Sequence, residues 1–307
     1  MRIFVAGGTG VIGRRTVEQL LAAGHDVTTV ARTEEKAAQL WDQGARPVMV
    51  DLFDSGAVAR AVRGHHAVVN LATHIPPASR AAFRRAWREN DRLRTEASRH
   101  LADAAANAGA EVFIQESISL LYADGGDAWL AEDAPVKPTI LTRSAVDAER
   151  HAEAFSGSAP GARAVVLRFA QFVAPDSGHM QQLLGLVRRG ILPLVGDPEG
   201  YESCIDADDA GRAVGAALDC PSGTYNVAED APLTRREHAA VFAEALGRPV
   251  RLPPGWLGRV PRLDHVARSR RVANRAFREA TGWAPAHDNM SPVWTSLLRS
   301  EGREAHA

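Results

Sequence analysis

The sequence predicts an α/β fold, a doubly wound parallel sheet with a smaller mixed α/β lobe after it. Three observations predict it. Through the first half, short β-branched runs alternate with amphipathic helical stretches, the rhythm of βαβ units. A glycine-rich turn, Gly7-Gly8-Thr9-Gly10-Val11-Ile12-Gly13, stands between the first such run and the first helix. After Pro175 the alternation loosens, and ten of the 17 prolines punctuate short helices and isolated strands.

The elements follow in order. Strands are expected at 2–6, 26–31, 47–50, 67–71, 111–116 and 164–169, where β-branched and other apolar residues cluster between turn residues. Helices are expected at 11–23, 34–43, 55–62, 81–107 and 143–155. Gly24, Gly44, Gly64 and Gly109 stand just past four of them, where a helix commonly ends in a left-handed residue. Residues 1–174 then form the sheet domain and 175–307 a small lobe closing over the strand ends, with exchange of a strand or helix between them allowed.

Composition excludes several classes. A chain of 307 residues with 45% hydrophobic content builds a substantial core. With 36 basic against 37 acidic residues, net −1, no global field favours a nucleic acid or an anionic membrane. No apolar stretch approaches the roughly 20 residues of a membrane span, and the start has no signal-peptide shape. Cys204 and Cys220 are too few for a disulfide framework. A soluble, cytoplasmic protein with reduced cysteines is expected. There is no internal repeat, no His-Glu-x-x-His, no Gly-x-Ser-x-Gly and no Walker loop, so no metal site is expected and three hydrolase designs are set aside.

The position of the glycines gives them meaning. One allows the turn a positive φ, another lets a pyrophosphate approach the backbone, and a third lets the helix press on the sheet. Free N–H groups at the positive end of the helix then meet the phosphates. Gly7, Gly10, Val11, Ile12 and Gly13 are the candidate contacts. At the end of the second strand, where an acidic residue would select NAD(H), stands Val30-Ala31-Arg32-Thr33. A guanidinium suits a 2′-phosphate, so Arg32, with Arg14 sharing the task, predicts NADP(H) over NAD(H).

With this loop, Asp51-Leu52 after the third strand and Asn70-Leu71-Ala72-Thr73 after the fourth, the chain resembles the extended short-chain dehydrogenase/reductase superfamily, in its NAD-dependent epimerase/dehydratase branch. Leu167-Arg168-Phe169, Val173-Ala174-Pro175, Ile205–Ala210 (with Asp206 where a histidine is more usual), Tyr225-Asn226-Val227 and Thr281–Pro285 extend the likeness over nearly the whole chain. The resemblance implies a Rossmann domain with Asp51 and Leu52 near the adenine and Leu71, Ala72 and Thr73 lining the cofactor. It places the loop His74–Pro77 near the nicotinamide end and a small-molecule substrate in the second lobe. It also implies a homodimer paired through the helix at 81–107 and the next one.

Members of that family that act on a carbinol use a tyrosine as acid/base, a lysine four residues later and a polarising serine or threonine. An unassisted tyrosine has a pKa near ~10 and needs a nearby cation to act as a base at neutrality. Tyr122, Tyr201 and Tyr225 are followed four residues later by Gly126, Ile205 and Glu229, and the only lysines are Lys36 and Lys137. Aligning the helix at 142–155 by its glutamate puts Leu141 at the tyrosine and Ala145 at the lysine. The register set by Tyr122 puts Ile118 at the polarising position, with Ser117 and Ser119 turned the other way on a regular strand. Asn90 matches the family's asparagine.

Substitute acid/base candidates are Tyr122, Ser117 and His74, supported by Asn90, with Glu116 either buried and raised in pKa or ion-paired to an arginine. Tyr122 could equally be a core-edge residue with a satisfied hydroxyl, and His74 a solvated loop residue. The run Phe83–Arg94 reads as a solvated or dimer-forming helix rather than a nucleic-acid patch, because Glu89 and Asp91 break its charge. Arg268–Asn274 points a guanidinium at an acidic substrate or caps a helix. Three functions remain open: an NADP(H)-dependent enzyme acting on a carbonyl or hydroxyl metabolite without the usual pair; a redox-neutral isomerase, cyclase or lyase; and a non-catalytic NADP(H) sensor.

Overall fold

The computed structural model describes residues 1–77, 80 and 83–304. The chain begins β1 (Arg2–Ala6), α1 (Val11–Ala22), β2 (Asp26–Ala31), α2 (Glu34–Asp42), β3 (Arg46–Met49), α3 (Ser55–Val62) and β4 (Ala67–Asn70). It continues with α4 (Arg88–Arg92), a π turn (Leu93–Ala97), α5 (Ser98–Asn107), β5 (Val112–Ile118), β6 (Trp129–Leu130), α6 (Arg143–Ser156) and β7 (Arg163–Phe169). The later half holds β8 (Gln171–Val173), α7 (Gly178–Val187), β9 (Tyr201–Glu202), β10 (Cys204–Asp206), α8 (Ala207–Ala216), β11 (Gly223–Val227), β12 (Leu233–Thr234), α9 (Arg235–Leu246), α10 (Asp264–Ala267), β13 (Arg271–Val272), α11 (Arg275–Thr281) and α12 (Ser291–Glu304).

Seven parallel strands form one sheet in the order β11-β7-β5-β4-β1-β2-β3. Alternation along the strands divides its core. Ile3, Val5, Val69 and Ile114 face a layer that includes Val17 of α1 and Val214 of α8. Phe4, Val68 and Phe113 face Val58 of α3, Leu101 of α5 and Phe155 of α6. The doubly wound parallel sheet expected from the sequence is therefore present. Its seventh strand, β11, and the helix α8 that packs on α1 both come from beyond residue 174. A third core, Met180, Leu184, Phe242, Trp294 and Leu298, joins α7, α9 and α12.

Two expectations change. The helix expected at 81–107 begins, after Ala81 and Ala82, which lie outside the described residues, with a 3-10 turn at Arg84–Trp87, and a π turn interrupts it at Leu93–Ala97. The wider turn carries Arg94 inward, where its guanidinium meets Glu116 in the core; Arg94 is not on a solvated face. Likewise, the run at 268–274 aims no guanidinium at a ligand. Arg270 grips Glu202 at 2.6 and 2.7 Å, Arg268 donates to the carbonyls of Tyr122 and Lys137 and to Asp264, and Arg271 stacks over Trp129 and Tyr201. Buried polar backbone in a lobe with little sheet needs donors, and these arginines supply them.

Glu229 pins the lobe together. Its two oxygens accept the N–H groups of Cys204 and Met290, both at 2.8 Å, tying β10 to the start of α12. Burial pushes its carboxyl up from 4.5 to about 8, against the pull of those two bonds. The folded form thus keeps a proton that the unfolded chain sheds above its ordinary pKa, so Glu229 favours folding at acid pH and that contribution fades as pH climbs through about 8. Buried histidines such as His238 and His265, whose pKa burial lowers, act in the opposite direction and alike in the wild type and Glu229→Gln. We therefore expect the Glu229 contribution as a more downward slope of thermal midpoint against pH in the wild type than in Glu229→Gln between pH 5 and 8. A wild-type slope retained in Glu229→Gln would assign the dependence to other groups.

Candidate cofactor cleft and the buried charges beside it

The glycine turn is built for close contact. Gly7 has φ +86°, and a Cβ there would lie 2.5 Å from the carbonyl carbon of Leu71. A Cβ on Gly13 would lie 2.0 Å from the carbonyl oxygen of Gly7. Gly10 donates to that same oxygen at 2.9 Å and starts α1 without any side-chain cap. The first N–H groups of the helix, those of Val11, Ile12 and Gly13, therefore stand at the carboxyl end of β1 with no side-chain cap bonded to them, an arrangement that fits a pyrophosphate.

The neighbouring strand ends are fixed by hydrogen bonds. Leu71 donates to the carbonyl of Ala6 at 2.9 Å, and Ala72 donates to Asn70, whose amide in turn reaches Gln115. Leu71 is buried, while Ala72 and Thr73 are half-buried beside it. Asp51 is exposed and accepts the N–H of Phe53, and Leu52 packs on the α3–α5 side of the core.

Arg32 stands exposed just past β2, and its guanidinium lies 3.5 Å from Glu89 of α4. The same carboxylate oxygen lies 3.5 Å from Nδ1 of His74. Asn90 is buried, and its side-chain Oδ1 accepts the backbone N–H of His74 at 3.0 Å. His74 is thus drawn toward the Arg32 side, and the imidazole's partner is Glu89. Arg14 does not join Arg32. It pairs with Asp176, while Arg15 pairs with Asp176 and Asp208, because α1 faces α8 and the turn before α7.

The other candidates belong to a buried web. Arg168 donates two bonds of 2.8 Å to the two oxygens of Glu149 on α6, and a third to the hydroxyl of Tyr122 at 3.1 Å. That hydroxyl donates to Asn226 at 2.7 Å, and Ser117 donates to Glu149 at 2.5 Å. Tyr122 and Ser117 are fully buried. Burial raises the phenol of Tyr122 further from neutrality, although Arg168 opposes the rise. Both alternatives for Glu116 hold at once. It is ion-paired to Arg94 at 2.9 Å, and burial, only partly offset by that pair, raises its carboxyl. Ile118 is half-buried, Leu141 half-buried and Ala145 fully buried.

Sequence reasoning used Glu149 only as an alignment anchor and missed its role. Its signal is the register that aligns Ser117, Arg168 and Asn226 across β5, β7 and β11, a polar row inside three apolar strands. Glu89 carried no such signal, since an exposed acid on a charged helix is ordinary.

Fold and cleft define a dinucleotide-binding protein of Rossmann type, and no group of metal-ligating side chains occurs among the described residues. A family model described as NAD(P)H-binding matches residues 7–181. The chain is 33% identical to a 3-diazoavenalumate denitrifying reductase from a Streptomyces species over 326 aligned residues, covering 99% of this chain and all of that one. It is 28% identical to an epimerase family protein of Mycobacterium bovis, covering 81% of this chain and 80% of that one. Its fold matches a dTDP-glucose 4,6-dehydratase from Streptomyces venezuelae solved with NAD bound, at TM-score 0.77 and 22% identity over 98% of this chain and 97% of that one. The chain belongs to the NAD(P)H-binding family of epimerase/dehydratase-like proteins, the extended short-chain dehydrogenases/reductases.

Arg168→Met would leave Glu149 buried without its cation and Tyr122 short of a donor. We expect a loss of about 3 kcal/mol or more of folding stability, measured by urea denaturation. A loss below about 1 kcal/mol would show the web to be dispensable.

Proposed function

We propose that this protein is an NADP(H)-dependent reductase whose acceptor needs no proton from the protein. The observation that carries this reading is the state of the acid/base positions. Leu141 and Ala145 stand at the family's tyrosine and lysine, and the nearby hydroxyls of Tyr122 and Ser117 are committed to Asn226 and Glu149. Reduction of a ketone leaves an alkoxide that must be protonated, and general acid catalysis of that step contributes about 10²–10⁴-fold. Reduction that expels dinitrogen leaves no such anion. The relative named as a diazo-compound denitrifying reductase supports an acceptor of this kind.

In this reading Gly7, Gly10, Val11, Ile12 and Gly13 hold the pyrophosphate, Asp51 and Leu52 border the adenine, and Leu71, Ala72 and Thr73 line the wall. Arg32 takes the 2′-phosphate, a role supported by its place past β2 and by the lack of an acid there. When bound, the reduced nicotinamide supplies a hydride to an arenediazonium carbon, so that a C–H bond forms, the C–N bond breaks, dinitrogen leaves and the cofactor is oxidised. The protein's own residues orient the ring and exclude water. Tyr122 and Ser117 act in this reading as positioning groups, and Asn90 holds the loop of His74.

The test is turnover with NADPH deuterated at the transferred position and a simple arenediazonium salt. We expect dinitrogen release and one deuterium on the product arene, with Tyr122→Phe retaining kcat within about twofold per folded molecule while losing about 1–2 kcal/mol of stability. Reduction of ketones without dinitrogen release, or a collapse of kcat in stable Tyr122→Phe, would overturn the proposal. Turnover that leaves the deuterium on the cofactor would favour a redox-neutral reaction.

A further inference from the structure

The shared carboxylate of Glu89 is the feature of the cleft that the proposed reaction does not use. Its one oxygen lies 3.5 Å from Nη1 of Arg32, past the end of β2, and 3.5 Å from Nδ1 of His74, past the end of β4. Between those strands in the sheet lies β1, whose carboxyl end carries the glycine turn. Glu89 therefore spans the mouth of the cleft from one side to the other. Arg92, on the same short helix, stacks over Phe53 beyond Asp51 and pairs with Glu96, so the positive charge around Glu89 is already partly engaged.

We propose that Glu89 is the specificity-determining residue of this cleft, competing with the cofactor's 2′-phosphate for Arg32. A guanidinium held by a carboxylate binds a phosphate only by exchanging one anion for another, and the displaced Glu89 then faces the incoming dianion. NADPH meets that opposition in full. NADH, with a neutral ribose hydroxyl, does not, so Glu89 narrows the preference that Arg32 creates. Displacement also releases His74, leaving Asn90 as the support of its loop and making 2′-phosphate occupancy felt at the far side of the cleft. The pair is exposed and screened, which sets the size of the effect at a few-fold rather than orders of magnitude.

The inference rests on Arg32 being the 2′-phosphate site, and the experiment separates the two. Dissociation constants for NADPH, NADH and the fragment 2′,5′-ADP are measured by calorimetry on the full chain, on Glu89→Gln, on Arg32→Ala and on the double variant. Glu89→Gln is expected to tighten NADPH and 2′,5′-ADP about fivefold at low salt, leave NADH within a factor of two, and lose its effect in the Arg32→Ala background. If Arg32→Ala weakens NADPH and NADH alike, the 2′-phosphate reading itself fails. If Arg32→Ala is selective for NADPH but Glu89→Gln weakens NADPH, the role of Glu89 is overturned and its carboxylate is a ligand of the cofactor; if Glu89→Gln tightens both cofactors equally, the role is overturned and its charge opposes the diphosphate they share.

Discussion

The bidentate pair between Arg168 and Glu149 is the interaction on which the site end of the sheet depends. Arg168 lies between Ser117 of β5 and Asn226 of β11 in the register of three adjacent parallel strands, and Glu149 closes over that row from α6. A charge in such a position is costly unless paired and fully hydrogen-bonded. Here Glu149 answers it with both oxygens, and the remaining donors reach the Tyr122 hydroxyl and the carbonyl of Glu132. One ion pair thereby joins two sheet strands, a helix and the turn after β5, and sets which hydroxyls are left for chemistry.

Most of the sheet was legible in the sequence because period-two burial and glycine stops are local signals. All six strands expected from the sequence exist, with ends shifted by a residue or two. The glycine turn was legible for the same reason, since its constraint is written in three adjacent contacts of backbone on backbone. What sequence reasoning could not see were partners distant in the chain. Arg94 on a helix of many charges looks like a surface residue until a π turn brings it to Glu116, 22 positions away. Arg14 looks available until Asp176, in the turn before α7 and 162 positions on, pairs with it. The 268–274 run reads as ligand-seeking only while the carbonyls and Glu202 that absorb it are unknown.

Those three cases share one cause. Nearly all the cationic residues of this chain are arginines, and a guanidinium with five fixed donors can satisfy carbonyls and carboxylates together in a way an ammonium cannot. Arg235 and Arg270 both serve Glu202, and Arg235 and Arg268 seal carbonyl oxygens in the second lobe. Arginine density is therefore a poor guide to ligand binding here. Arg32 differs in kind, because it is exposed and its partner is a single screened carboxylate.

The same web explains how Ala145, which the resemblance aligns with the family's lysine, sits beside Glu149 without leaving a charge stranded. Residue 145 lies one helical turn before Glu149, close enough for an ammonium there to share that carboxylate. In this chain both Glu149 oxygens are taken by Arg168 and one also by Ser117, so the carboxylate stays compensated with Ala145 fully buried beside it. The helix keeps its packing, and the phenol of Tyr122, within the web, accepts from Arg168 and donates to Asn226. In the proposed reading, alanine in place of a cation at this position weakens proton transfer far more than it weakens the structure. A cleft under that constraint suits the proposed reaction, in which the acceptor's own leaving group completes the reduction.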